Sequence, residues 1–295
     1  EEFEKYKRLG LVYPFMCIFK DNFESTEPAL LMLSFDSKMR LQYRYNEAHI
    51  IKSQTDKLKY VKLMITNIDS AVSQISADIK NSDNEETQLL ALMALITMLT
   101  GIRIGKDVHF KTYESIGLST LMCKNVSCEN DTKCIFDIIG KKGVHYKYEI
   151  KNRECCNLLN KLIEKCDSPT SFIFKTSTRK LTYTDFNDYV KSIFGNMYVS
   201  GKDFRTLLAN VSFLEEFRRL SSKYDENELP TQKVIESNIK ESVKHVASVL
   251  QNTNAVSKKS YILKTIIEYI YSNYKDVLTS KDIISLIKRI FHDVS

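Results

Sequence analysis

Leu250-Gln-Asn-Thr-Asn-Ala-Val-Ser-Lys-Lys-Ser-Tyr-Ile262 is the stretch on which the reading of this chain turns. It sets a carboxamide, Asn252, and a phenol, Tyr261, around a pair of adjacent lysines. On its own it decides little. Tyr261 is one of 16 tyrosines, and Tyr269, Tyr271 and Tyr274 follow in the same run. A tyrosine at helical spacing usually packs half-buried with its hydroxyl satisfied. Periodicity predicts one helix over 258–274, between helices at 231–250 and 280–292, and gives no reason to single out Tyr261.

Upstream the pattern stays helical as far back as residue 56. Leu58, Val61, Met64, Ile65 and Ile68 mark one amphipathic helix, and the polar run 81–86 offers N-cap residues for the next. The apolar run 89–99 is about half of a membrane span and reads as a buried core helix. Two strand-like runs, 134–139 and 144–150, flank Gly140-Lys-Lys-Gly143 and predict a hairpin with Val144, Tyr146, Tyr148 and Ile150 on one face. The first 50 residues are β-rich, with strands expected at 11–20, 29–35 and 41–45, the last half-buried, and a polar linker over 46–56. The fold class is α+β: a small β-rich N-terminal domain (1–52) and a mainly α-helical catalytic domain with a β-hairpin (53–295).

The composition is that of an ordinary globular chain of 295 residues, 43% hydrophobic and 27% charged. A net charge of +6 is compatible with a polyanion partner without requiring one. Seven cysteines in no regular framework (Cys17, Cys123, Cys128, Cys134, Cys155, Cys156 and Cys166) predict reduced thiols in an intracellular, reducing compartment. Their spacing lacks the C-x-x-C pair of a zinc site, so no metal is expected. The chain begins with Glu, not Met, and the N-terminal domain is expected to be short of its full length.

Three basic residues have distinctive settings. Arg103 follows the apolar helix in Gly101-Ile-Arg-Ile-Gly-Lys106, and Arg205 precedes another apolar run in Lys202-Asp-Phe-Arg-Thr206. Each is either a buried ion-pair partner or an anion ligand, and buried arginines are more often paired. Two such guanidinium forks would suit the non-bridging oxygens of one phosphodiester. Lys141, at the hairpin tip, is either a solvated turn lysine or a mobile general acid.

The alternatives narrow when the motifs are taken in order. The run Asn-Thr-x-Ala-Val-Ser-Lys-Lys-Ser-Tyr-Ile resembles the nucleophile motif of the type IB DNA topoisomerases of the small poxvirus-like, giant-virus and bacterial group. Asp36-Ser-Lys-Met-Arg40 with Gln42-Tyr-Arg-Tyr45 resembles that family's DNA-contacting segment. Gly101-Ile-Arg-Ile-Gly-Lys106 with Gly117-Leu-Ser-Thr-Leu121 resembles its first arginine motif, and Ile139-Gly-Lys-Lys-Gly-Val-x-Tyr146 its lysine hairpin. Lys202-Asp-Phe-Arg-Thr206 with Asn210 resembles the second arginine motif. Five motifs in family order over residues 33–275 outweigh any one of them.

The resemblance implies relaxation of supercoiled duplex DNA through a 3′-phosphotyrosyl intermediate, without ATP, metal or cofactor. It makes Tyr261 the nucleophile, Arg103 and Arg205 the ligands of the scissile phosphate, and Lys141 the acid for the leaving 5′ oxygen. Asn252 stands at a position that is His in poxvirus members and Asn in some bacterial-type members, and would aid electrostatically by donating a hydrogen bond to a phosphate oxygen, without being the essential acid. Lys38, Arg40, Gln42, Tyr43, Tyr45, Lys106 and Lys202 would contact DNA. The partner is double-stranded DNA, clamped by a monomer with no membrane involved, in a virion, host cytoplasm or nucleus if the source is viral. His109 stands where poxvirus members have Tyr, and Asn254 replaces a common Pro, which bears on DNA sequence preference more than on chemistry. A tyrosine recombinase would use the same chemistry, but it usually carries His-x-x-Arg where this chain has Lys202-Asp-Phe-Arg205.

Overall fold

The computed structural model describes residues 17–19, 26–35, 39, 41–81, 83–140, 143–223 and 230–293. The chain divides into two compact units, Glu1–Lys59 and Tyr60–Ser295.

The first unit holds an antiparallel sheet in the order β1 (Cys17–Phe19), β2 (Leu30–Phe35), β3 (Leu41–Tyr45). Leu31 and Met32 of β2 are buried, whereas β3 is exposed along almost its whole length, not half-buried as its alternation suggested. Residues 11–16 of the first expected strand lie outside the described residues. The expected linker is helical. Asn46 follows β3, and its Oδ1 accepts from the His49 and Ala29 amides, so it caps α1 (Glu47–Thr66) and ties it to β2.

In the second unit, α2 (Ile68–Asn81) leads through Asn84, whose side chain accepts from the Glu86 and Thr87 amides, into α3 (Glu85–Thr100). From Leu89 onward this helix is apolar on nearly every side because neighbours cover most of it, with Leu99 near its end left 45% exposed. It touches α2, α5 (Arg153–Glu164), α6 (Tyr183–Phe194), α7 (Gly201–Ser221) and the sheet strand β6 (His145–Ile150). Ala91, Met93, Ala94 and Ile96 are fully buried in it. Among the described residues no helix is long and apolar enough to cross a membrane.

α3 stops at Gly101, whose φ of +66° is the left-handed cap that glycine adopts without penalty. The chain then runs extended toward α4 (Asp107–Tyr113): Ile102 and Ile104 are buried, and Arg103 between them points the other way. The segment is held by the Leu118 and Ser119 amides, which donate to the Arg103 and Ile104 carbonyls at 3.0 and 2.8 Å. Only a glycine at 117 permits this. A Cβ there would sit 2.5 Å from the Gly105 nitrogen and 2.6 Å from the Arg103 oxygen, both backbone atoms. Gly117→Ala is expected to cost about 1–3 kcal/mol of stability, the usual range for overpacking. It should also push Arg103 out of place. Urea denaturation measures the first effect and DNA cleavage the second.

The hairpin is the last part of a three-stranded antiparallel sheet, β4 (Val126–Glu129), β5 (Lys133–Ile139) and β6. Tyr146, Tyr148 and Ile150 face inward as the pattern predicted, while Val144 is exposed. The expectation of reduced thiols is corrected here: Cys128 pairs with Cys134 and Cys123 with Cys166 as disulfides. Cys128 and Cys134 are register partners across β4 and β5, a proximity that irregular spacing does not reveal. Cys155 and Cys156 are free and buried, and burial pushes the Cys155 thiol up to about 12.

The C-terminal third departs from its prediction at the decisive place. α8 (Gln232–Val249) matches, but the expected helix over 258–274 is broken. α9 (Asn254–Ser260) is capped by Tyr261, whose φ of −124° is not helical, and α10 (Lys264–Ser272) starts after a three-residue gap, 261–263. α11 (Tyr274–Thr279) and α12 (Ile283–Asp293) follow.

Candidate active site

Asn210 makes the break. It lies on α7, fully buried, one and a half turns beyond Arg205. Its Nδ2 donates to the Tyr261 carbonyl at 3.0 Å and its Oδ1 accepts from the Leu263 amide at 3.0 Å. These bonds replace helical ones, so the chain turns and Tyr261 is carried to the Arg205 side of α7. The ring packs under the Arg205 guanidinium, with Cζ 5.3 Å from its centroid. The sequence motif contained Asn210, but nothing in its spacing announced this task.

Arg205 is 2% exposed, and among the described residues no carboxylate pairs with it. Its Nη2 donates to the Leu250 carbonyl at the end of α8, 3.2 Å away. Its buried Nε and Nη1 find no acceptor. Arg103 is half-buried. Its Nη2 donates to Asn252 Oδ1 at 2.9 Å, and its Cζ lies 5.7 Å from the Tyr146 ring centroid. Since Asn252 uses its oxygen on Arg103, its Nδ2 faces the other way, buried and without an acceptor. The structure thus brings Arg103, Arg205, Asn252 and Tyr261 together. Three buried donor nitrogens are left over, and buried donors in a folded protein are nearly always satisfied by something.

Two phenols share this positive cluster, with opposite consequences. Burial pushes Tyr148 up, and the nearby charges of Arg205 and Arg103 only partly offset it, so it stays above its ordinary value. Burial also raises Tyr261, but there the charge and hydrogen bonding of Arg205, with the charges of Arg103 and Lys202, outweigh it and bring the phenol down. A phenol lowered in the folded state adds stability above its unfolded pKa, and that gain is lost as pH falls through the folded value. Wild type should therefore gain stability over Tyr261→Phe as pH rises through the alkaline range. The ultraviolet phenolate titration, wild type minus Tyr261→Phe, should have its midpoint below the ordinary phenol value of about 10. Removing the Arg205 charge should raise it.

The remaining predicted residues are dispersed. Lys202 is exposed in the first turn of α7 and adds to the field on Tyr261. Lys106 is exposed, with Nζ 4.6 Å from the Tyr183 ring centroid. Gln42, Tyr43 and Tyr45 lie on β3 of the first unit, where the two tyrosine rings stack 6.4 Å apart and Tyr45 also stacks on His49. Arg44, within the same motif, is exposed on the same strand. Lys38, Arg40 and Lys141 lie outside the described residues. Among the described residues no cluster of His, Cys, Asp and Glu is placed to hold a metal ion. Strand alternation marks Tyr146 and Tyr148 only as a buried face, and the structure sets them against the two arginines.

Known proteins resemble this chain over most of its length. The family described as the eukaryotic DNA topoisomerase I catalytic core matches residues 48–285. The DNA topoisomerase 1B of Acanthamoeba polyphaga mimivirus is 28% identical over 245 residues, covering 81% of this chain and 71% of that protein. The DNA topoisomerase 1 of rabbit fibroma virus is 27% identical, over 90% of this chain and 80% of its own length. The DNA topoisomerase 1B of vaccinia virus (strain Copenhagen) is 26% identical, over 89% and 79%. With four-fifths of its length inside the family match, and its five motifs in the family's order, the chain belongs to the type IB DNA topoisomerase family.

Proposed function

We propose that the Arg103–Arg205–Asn252 cluster binds the scissile phosphodiester of duplex DNA and that Tyr261 attacks it. The observation that carries this reading is the set of buried, unpaired donors on Arg205 and Asn252 beside a phenol, Tyr261, that the local charges bring down. A phosphodiester oxygen is the acceptor these groups lack, and more charge gathers on those oxygens in the pentacoordinate transition state. Fixed guanidinium forks meet that charge without reorganisation. Tyr261 Oη forms the new bond to phosphorus and passes its proton to solvent water, and the P–O5′ bond breaks. The departing 5′ oxygen takes a proton from Lys141, since an alkoxide is a poor leaving group. Asn252 donates a hydrogen bond to a phosphate oxygen and moves no proton. The 3′-phosphotyrosyl bond conserves the energy needed for resealing, so no ATP is consumed. Supercoils relax while the free 5′ end rotates.

The β-rich region 1–52 serves as a clamp on duplex DNA and 53–295 as the catalytic domain, acting as a monomer. Exposed Tyr43, Arg44 and Tyr45 suit contact with the phosphate backbone, joined by Lys38, Arg40, Gln42, Lys106 and Lys202. The viral relatives fit action inside an infected cell or virion.

Supercoiled plasmid incubated with the protein, EDTA and no ATP tests the reading. The expected product is a ladder of relaxed topoisomers. A plasmid that stays supercoiled, with no covalent protein–DNA adduct after rapid denaturation, would overturn it.

A further inference from the structure

Three consecutive residues at the end of α8 each hold a different part of the site. The Leu250 carbonyl accepts from Arg205, Asn252 Oδ1 accepts from Arg103, and Gln251 between them reaches the hairpin. Gln251 stands at φ 50, left-handed backbone that a side chain adopts only at a cost. Its carboxamide makes two bonds, both to the main chain of Lys147. Gln251 Oε1 accepts from the Lys147 amide at 3.2 Å, and Nε2 donates to the Lys147 carbonyl at 2.6 Å.

β6 is the edge of its sheet, paired on its other side with β5, where Asp137 is the register partner of Lys147. An edge strand presents N–H and C=O groups with no partner strand. The Gln251 amide supplies one donor and one acceptor to them, the pattern a neighbouring strand would offer. The grip falls two registers from the last pair of the hairpin, Ile139 with His145. Tyr146 and Tyr148, on either side of Lys147, are the residues facing Arg103 and Arg205.

We propose that Gln251 is a positioning residue for strand cleavage. It registers β6 to the Asn252 segment, so that the proton donor in the β5–β6 turn arrives at the leaving 5′ oxygen of the same phosphate that Asn252 and the arginines bind. The inference rests on the reading of Lys141 as that donor. A merely structural link would hold the fold together and leave proton delivery untouched.

A substrate with sulfur in place of the bridging 5′ oxygen separates the two. Attack still forms the Tyr261–phosphorus bond, but the P–S bond breaks and the electron pair leaves on sulfur. A thiol has a pKa of about 8.5, so the thiolate departs without a proton. Gln251→Gly removes the carboxamide while easing the left-handed backbone, so strain cannot account for a loss. Single-turnover cleavage of oxygen and sulfur duplexes by wild type, Gln251→Gly and Lys141→Ala is the experiment, with melting temperature and duplex binding as checks on folding. Gln251→Gly is expected to cleave the oxygen substrate about 10- to 100-fold slower, the worth of two hydrogen bonds, and the sulfur substrate close to the wild-type rate. The inference is overturned if Gln251→Gly matches wild type on oxygen, or if it stays slow on both substrates while Lys141→Ala is rescued by sulfur. If Lys141→Ala is also slow on sulfur, the donor reading itself fails and the role of Gln251 falls with it.

Discussion

Replacing Tyr261 with Phe is expected to abolish plasmid relaxation and adduct formation, a loss of at least about 10⁴-fold, while leaving the protein folded and bound to duplex DNA. The change deletes one oxygen. The ring is 9% exposed and stays packed beneath Arg205, and its main chain stays held by Asn210. The obvious substitute nucleophile is Tyr148, which shares the cluster. Its phenol is raised by burial, whereas Tyr261 is brought down by Arg205, Arg103 and Lys202. Environments that push two like groups apart assign them different tasks. Only Tyr261 has a phenolate the site favours, and only Tyr261 stands at a break between helices that frees its side chain from helical geometry. Tyr148→Phe should therefore still form the adduct, with a modest loss in rate. Adduct trapping by denaturation, followed by peptide mapping, checks both. An adduct on Tyr148 in the Tyr261→Phe protein would sink the assignment.

The contrast between Tyr261 and its surroundings also shows what the amino-acid sequence could carry. The elements with long, strongly patterned runs were legible: the capped apolar helix α3, the hairpin with its inward tyrosines, and the strand positions of β2 and β3. Composition reported them because each depends on local periodicity and local caps. The break at Tyr261 was not legible, since it arises from Asn210, 51 residues away, outcompeting the helical bonds of 261–263. The same holds for the helical linker, where Asn46 closes a cap with help from Ala29, and for the paired Cys128 and Cys134, which only strand register makes neighbours. The site residues surfaced through motif order, not periodicity. Gln251 escaped notice because its importance lies in a bond to main chain 104 residues upstream.

Arg205→Met is the second change with a large expected effect, and its value lies in two measurements moving apart. Methionine fills much of the same volume with no charge. Arg205 is buried at 2% exposure, with no carboxylate paired to it among the described residues and with Nε and Nη1 unsatisfied. An unpaired buried charge costs stability, and replacing such a group by an apolar one of similar size is often neutral or stabilising. The bond to main chain that is forfeited, to the Leu250 carbonyl at 3.2 Å, is worth about 0.5–1.5 kcal/mol, and the Tyr261 phenol loses the neighbouring guanidinium as well. The melting temperature of the DNA-free variant is thus expected to equal or exceed that of wild type. Cleavage should move the other way, by about 10²–10³-fold or more, the loss seen when a preorganised donor is taken from a developing oxyanion. The phenol of Tyr261 should titrate higher, because the largest force lowering it has gone while its burial remains. Calorimetry, single-turnover cleavage and the phenolate titration read the three effects. A variant that melts several degrees lower while cleaving normally would make Arg205 a brace for α8, not a phosphate ligand. The opposite pair, a stable but inactive protein, means that the fold tolerates this arginine for the sake of the anion it receives.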